Sequence, residues 1–134
     1  MEMFHQLSKS PSAVLPYLAE MDLFAKMNPV IEKIEKLDDN RYRVHEKMKM
    51  GPVFHRVSYP MTLEIDPTIP KVEYHAVISG MAHIYITMIL SGDHSHCQVQ
   101  ETIRFRSFLP LFFMIKSIFI KQHRILFENI DQAG

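Results

Sequence analysis

Two glutamates stand where the hydrophobic pattern calls for apolar side chains. Glu46 alternates with Val44 and Met48, and Glu101 with Val99 and Ile103, so each shares the apolar side of its strand. A lone carboxylate taken out of water is costly, and it either finds hydrogen-bond donors or keeps its proton through a raised pKa. Tyr42, His55, Tyr59 and Tyr74 fall on the same inward faces and could supply those donors. An apolar wall carrying a few convergent polar groups is the chemistry of a ligand pocket. The bland alternative is a strand-end carboxylate that reaches solvent, or a satisfied network in the core. Glu46, His55 and Glu101 are also residue types that move protons. Acid–base work needs a tuned pKa and reach to within ~3 Å of a substrate proton, so spacing alone assigns no catalytic residue.

His94-Ser95-His96-Cys97 holds zinc-ligand types, imidazole and thiolate. It follows Gly92-Asp93 at an expected hairpin tip, where His94 and His96 point to solvent and Cys97 turns inward, and no second cluster at finger-like spacing exists. A polar turn and a small buried thiol are the expectation, with no metal and no cofactor. Arg41, Arg43, His45, Lys47 and Lys49 alternate along one strand as a basic stripe. The solvated face of a strand accounts for it, with an anionic surface as the other reading. Met48, Met50, Met61, Met81 and Met88, among ten methionines, suit a deformable apolar wall as well as ordinary core.

The elements that position these residues follow from period and punctuation. Residues 2–7 form a short strand, and Ser10-Pro11 reads as an N-cap followed by Pro at the first helical position. Pro16 falls near that helix's first turn or bends it, and two short helices end at Asn28-Pro29, because the residue before Pro disfavours the α region. Alternating patterns then predict strands over 30–37, 41–50, 53–65, 71–79, 82–90 and 96–106, with Pro60 demanding a bulge or an edge position. A long helix is predicted over 109–130, with Phe108, Leu111, Phe112, Ile115, Phe119, Gln122 and Leu126 on one face, opposite Ser117, Lys121, Arg124 and Glu128. Phe113, Ile120 and Phe127 form a second, slowly drifting stripe. Its cover is the N-terminal helices, a second subunit, or a membrane surface, with a homodimer ahead of membrane contact because Lys116, Lys121 and Arg124 are few. The order of elements describes an α+β domain with helices on one side of a curved sheet.

Composition bounds the function classes. The chain of 134 residues, 47% hydrophobic, is expected to be a single domain over 1–134. Fifteen Lys plus Arg balance fifteen Asp plus Glu, so no nucleic-acid partner is expected. One cysteine and an N-terminus without a signal-like apolar run predict a cytoplasmic protein. The apolar stretch 108–120 contains Lys116 and is shorter than the ~20 residues that a membrane span requires.

Across nearly the whole chain the sequence resembles the START-like (SRPBCC) superfamily, which includes polyketide cyclases, lipid-transfer START domains, coenzyme-Q-binding proteins and birch-pollen-allergen-like proteins. The resemblance rests on Ser10-Pro11-Ser12-Ala13-Val14-Leu15-Pro16-Tyr17-Leu18, on Met27-Asn28-Pro29-Val30-Ile31, on Tyr59-Pro60, on Gln100-Glu101-Thr102-Ile103-Arg104-Phe105 and on Lys121-Gln122-His123-Arg124-Ile125-Leu126-Phe127. It implies a helix-grip fold, in which a seven-stranded antiparallel sheet wraps a long C-terminal helix and encloses an apolar cavity. Read together with the inward residues, it points to binding or transport of a small hydrophobic ligand such as a lipid, quinone or aromatic polyketide-like molecule. The expected lining is Tyr42, Glu46, His55, Tyr59, Tyr74, Glu101, Phe105, Phe112, Ile115 and Phe119. A cyclase or dehydratase using the same polar residues is the alternative, and a surface interaction module with a filled core is a second. Enzymatic activity is left open, with binding favoured.

Overall fold

The computed structural model describes residues 1–50, 52–78, 82–107 and 112–134, with side chains described except at 49, 50 and 112–115. In chain order these residues form β1 (Glu2–Leu7), α1 (Pro11–Ala19), α2 (Met21–Met27), β2 (Ile31–Lys36), β3 (Arg41–Met50), β4 (Val53–Asp66), β5 (Lys71–Ile78), β6 (Ala82–Asp93), β7 (His96–Arg106) and α3 (Phe112–Gln132). The strands make one open, wholly antiparallel sheet of seven in the order β1-β7-β6-β5-β4-β3-β2. With α3 against its inner face, this is the helix-grip architecture expected from the sequence.

Local chemistry explains the element ends. The Ser10 hydroxyl accepts from the Ala13 N–H at 3.2 Å, and Pro11 occupies the first helical position, where no N–H is needed. Pro16 lies inside α1 without breaking it, and the chain turns at Glu20, whose backbone is extended. The carbonyl that Pro16 cannot bond belongs to exposed Ser12, so water can satisfy it. β6 runs to Asp93, which pairs with His96, and leaves a two-residue turn at His94-Ser95. Gly92 has φ +152°, and a Cβ there would lie 2.0 Å from the His96 carbonyl oxygen, so this turn excludes any other residue. His94 and His96 are exposed and Cys97 is fully buried, as the alternation predicts.

Pro60 marks a change in the sheet. β4 pairs with β3 from Val53 to Thr62, but with β5 only from Met61 onward. Without an N–H, Pro60 suits the point where the second ladder stops. Among the described residues the outer half of β4 is therefore bonded to one neighbour, β3, and Val53, Phe54 and Val57 are exposed on it.

The core has two parts. The lower part gathers Leu7, Val14, Leu18, Phe24, Met88, Val99, Leu126, Phe127 and Ile130 beneath α1 and α2. The upper part is smaller, with Met3, Ile84 and Ile103 buried and Ile78, Ile86, Phe105, Phe119 and Ile120 only half-buried around them. α3 exposes Ser117, Lys121, Arg124 and Glu128 as predicted, but its inner face is turned further than the pattern indicates. His123, Leu126, Phe127 and Ile130 are buried, and Gln122 sits at the edge of the buried face. Phe127 is thus covered by its own chain, stacked on His5 of β1 with ring centroids 4.0 Å apart, and half-buried Ile120 packs on the upper cluster. Phe113 lies outside the described side chains.

Candidate functional site

Between the two parts of the core lies a polar layer. Glu101 of β7 is fully buried between Val99, below, and Ile103, above. His5 of β1 takes the equivalent place between Leu7 and Met3. Antiparallel pairing sets Met3 opposite Glu101 and His5 opposite Val99, so the two polar residues are diagonal neighbours on one face. The His5 Nε2 lies 2.9 Å from Glu101 Oε1, and from the other side His123 of α3 brings its Nδ1 onto Glu101 Oε2. Both imidazoles are themselves buried.

Electrostatics fixes the roles. Burial by itself would raise the Glu101 pKa, but the charge and hydrogen bond of His123, reinforced by those of His5, outweigh it and hold the pKa down at about 2. Glu101 is therefore an ionised acceptor, and both ring nitrogens facing it are N–H donors. His123 then presents its other nitrogen, Nε2, elsewhere. Nε2 has no hydrogen bond among the described residues. The ring of Phe119, one turn earlier, lies 5.1 Å from the His123 ring.

A second inward carboxyl lies on β3. Glu46 of β3 is half-buried and accepts a hydrogen bond from the buried Tyr59 hydroxyl of β4. Burial raises the Glu46 pKa, and the Tyr59 hydrogen bond and the nearby charge of His123 only partly counter it. Burial and the Glu46 charge likewise push the Tyr59 pKa well up, so its hydroxyl keeps its proton. α3 also touches β3 directly, through Gln122 Nε2 at 3.6 Å from Met48 Sδ.

The expected lining residues sort clearly against this geometry. Glu101 pairs with His123 and Glu46 with Tyr59, while Phe105 and Phe119 are half-buried around the upper cluster. Tyr42 faces inward and packs half-buried on the lower core. Tyr74 faces inward too, but its hydroxyl donates to the Leu18 carbonyl and its ring lies 5.3 Å from that of Phe24, so it ties α1 and α2 to the sheet. His55 is a correction: it is exposed. Its parity is inward, opposite Met48, but it lies beyond Pro60 on the half of β4 that β5 does not accompany. Phe112 and Ile115 lie outside the described side chains.

Sequence reasoning passed over His5 and His123. For His5 the signal was its place between Met3 and Leu7 in a strand that alternates strictly; for His123 it was the spacing Phe119, His123, Leu126, Phe127, Ile130, which marks one helix face. Cys97 offers no chemistry, since burial pushes its thiol pKa to about 11. Among the described residues no group of three His, Cys, Asp or Glu could hold a metal ion. His5 and His123 take opposite oxygens of Glu101 and do not converge on one point.

No protein-family model and no curated protein matches the sequence. Solved structures do resemble it. A conserved protein from Geobacillus kaustophilus superposes with a TM-score of 0.81 at 12% identity, covering 98% of this chain and 91% of that one. A START superfamily protein from Mycobacterium smegmatis gives 0.77 at 9% identity, covering 98% and 93%. An aromatase/cyclase from a Streptomyces strain gives 0.73 at 12% identity, covering 97% and 89%. The fold is therefore that of the START-like superfamily, and the resemblance read from the sequence holds at that level. At these identities the likeness defines the fold, and function has to be argued from the site.

Proposed function

We propose that this protein binds a small hydrophobic molecule, of the lipid, quinone or aromatic polyketide-like kind, in the upper space between sheet and α3. The carrying observation is the layered interior: a closed lower core, a polar floor of His5, Glu101 and His123, and above it apolar side chains left half-buried although they face inward. A filled core would bury Ile78, Ile86, Phe105 and Phe119 as completely as Leu18 or Val99. Among the described residues α3 approaches β1 and α2. Solved proteins of this fold include an aromatase/cyclase and a START superfamily protein, which accords with an interior ligand. No helix among the described residues is long and apolar enough to cross a membrane, and the lone buried thiol suits a reducing, cytoplasmic setting.

Nile red should bind the folded protein saturably at one site. Ile86→Trp fills the space from β6 and should weaken that binding on the order of tenfold, about 1.4 kcal/mol, without changing the circular dichroism of the fold. Native mass spectrometry of protein isolated from its own cell should show a bound small molecule. Absence of saturable binding by the wild type would refute the reading.

A further inference from the structure

We propose that the outer face of the sheet, the side away from α3, carries a small-molecule site of its own, which takes a planar aromatic carboxylate between the His75 ring of β5 and the Arg43 guanidinium of β3. Nothing in it depends on what the interior holds. Residues of five adjacent strands stand in one row across that face: Arg41, Thr62, His75, Tyr85 and Arg104. One end of the row is a stack of planar groups. Arg104 Cζ lies 4.9 Å from the centroid of the Tyr85 ring, and the Tyr85 and His75 rings lie 4.3 Å apart and 6° from parallel. His83 holds the His75 ring at its edge, with 2.9 Å between Nδ1 of His83 and Nε2 of His75. The stack then stops, because the next residue in the row is Thr62, which has no ring. Beside Thr62 is an open groove of about 300 Å³, lined by Arg41, Arg43, Pro60, Thr62, His75 and Val77 among others. That volume is at the low end for small-molecule sites and suits one or two fused rings.

Charge on this face is divided about Thr62 and His75. The next outward residues along β4 and β5 are Glu64 and Glu73 in one direction and Pro60 and Val77 in the other, with Arg43 opposite Pro60. Arg43 is also unengaged. Arg41 lies 3.5 Å from Asp38, His45 lies 2.6 Å from Glu35 and Lys47 sits over the Phe54 ring, whereas Arg43 makes no ion pair, hydrogen bond or ring contact among the described residues. Glu35, its cross-strand neighbour, is taken up by His45 and Lys33. Burial and the adjacent His83 lower the His75 pKa, so at neutral pH this ring offers a face and not a charge. A ligand in the groove meets that ring, the apolar Pro60 and Val77, and a guanidinium whose fork matches a carboxylate. Glu64 and Glu73 repel an anion placed the other way round. Neighbouring strands are ~4.8 Å apart, so the acid group has to sit on the ring or one atom away from it, and a nucleotide, whose sugar separates base from phosphate, is too long for that span. A structural ladder accounts for Arg104, Tyr85 and His75; it does not account for an unengaged guanidinium across a groove from the place where the ladder ends.

The probe is naphthoate, titrated into the full chain and followed by NMR of the backbone amides, with Nile red fluorescence read in parallel. The acid should saturate at roughly millimolar concentration or below, shift the amides of Arg43, Thr62 and His75, and leave bound dye in place. Arg43→Gln should weaken it on the order of tenfold, and Thr62→Phe, which puts a ring of the protein's own into the row, should abolish it. Both substitutions fall on an outward strand face, and Arg124→Gln, at an exposed arginine of α3, should change nothing. Uncharged naphthamide should bind wild type as weakly as naphthoate binds Arg43→Gln, and adenosine monophosphate should bind at least about tenfold more weakly than naphthoate. Saturation unaltered in folded Arg43→Gln and Thr62→Phe overturns the proposal. So does naphthoate that displaces the dye, since it has then entered the interior, and so does adenosine monophosphate binding as tightly as the acid. Wild type that fails to saturate at about ten times the expected concentration overturns it whatever the folding of the variants, and leaves the interior reading to the dye.

Discussion

Two imidazole N–H groups offset the cost of burying Glu101, and that makes its charge matter to stability over a definite pH window. The pKa falls from 4.5 to about 2 on folding. Between those values the unfolded chain binds more protons than the native one, so stability rises with pH. The contribution is complete above the unfolded value and is lost as the solution is acidified through the folded one. We expect denaturant unfolding to show a loss on the order of a few kcal/mol between about pH 5 and pH 2, much reduced in a His5→Asn/Glu101→Gln/His123→Asn variant. An equal loss in both would remove Glu101 as its source. Glu46 has the opposite sign: its folded pKa is raised, so the native state binds more protons and stability falls as pH rises through that pKa. Glu46→Gln should therefore stabilise the protein at pH 8 by about 1 kcal/mol, because the amide still accepts from Tyr59 without a buried charge. A lower midpoint in urea for the variant would contradict this.

At the scale of elements, α3 does two jobs along its length. Its C-terminal half closes the lower core through Leu126, Phe127 and Ile130, while Phe119 and Ile120 pack half-buried on the upper cluster. α1 and α2 are fastened less broadly, and Tyr74 is one of their ties, a buried hydroxyl reaching from β5 to the Leu18 carbonyl. Tyr74→Phe removes that donor from a site water does not reach. It should cost about 1–3 kcal/mol in denaturant unfolding and increase amide hydrogen exchange in 11–27 relative to the sheet. Unchanged exchange there would mean that packing of Val14, Leu18 and Phe24 alone holds the helices. The basic stripe of β3 plays no comparable part. Arg41 lies 3.5 Å from Asp38, His45 lies 2.6 Å from Glu35, and Lys47 sits over the Phe54 ring, so the stripe behaves as a solvated strand face.

For the molecule as a whole, alternation and punctuation specified nearly every element, because both are local properties. The period-two pattern of β3 and β7 placed Glu46 and Glu101 on the inner face before any fold was known, and the pairing agrees residue by residue. The same logic placed Cys97 inside and His94 outside. Parity, however, says which way a residue faces and not whether anything lies opposite. His55 faces inward but is exposed on the half of β4 that, among the described residues, pairs with β3 alone, and Tyr74 faces inward but spends its hydroxyl on α1. His5 and His123 are separated by most of the chain from each other, and only the docking of β1 beside β7, with α3 across both, sets their nitrogens on the two oxygens of one carboxylate. The sequence by itself determined the elements, their inner faces and the presence of carboxyls that needed partners. Which partners they found was decided by contacts between distant segments, whose distances no local pattern encodes.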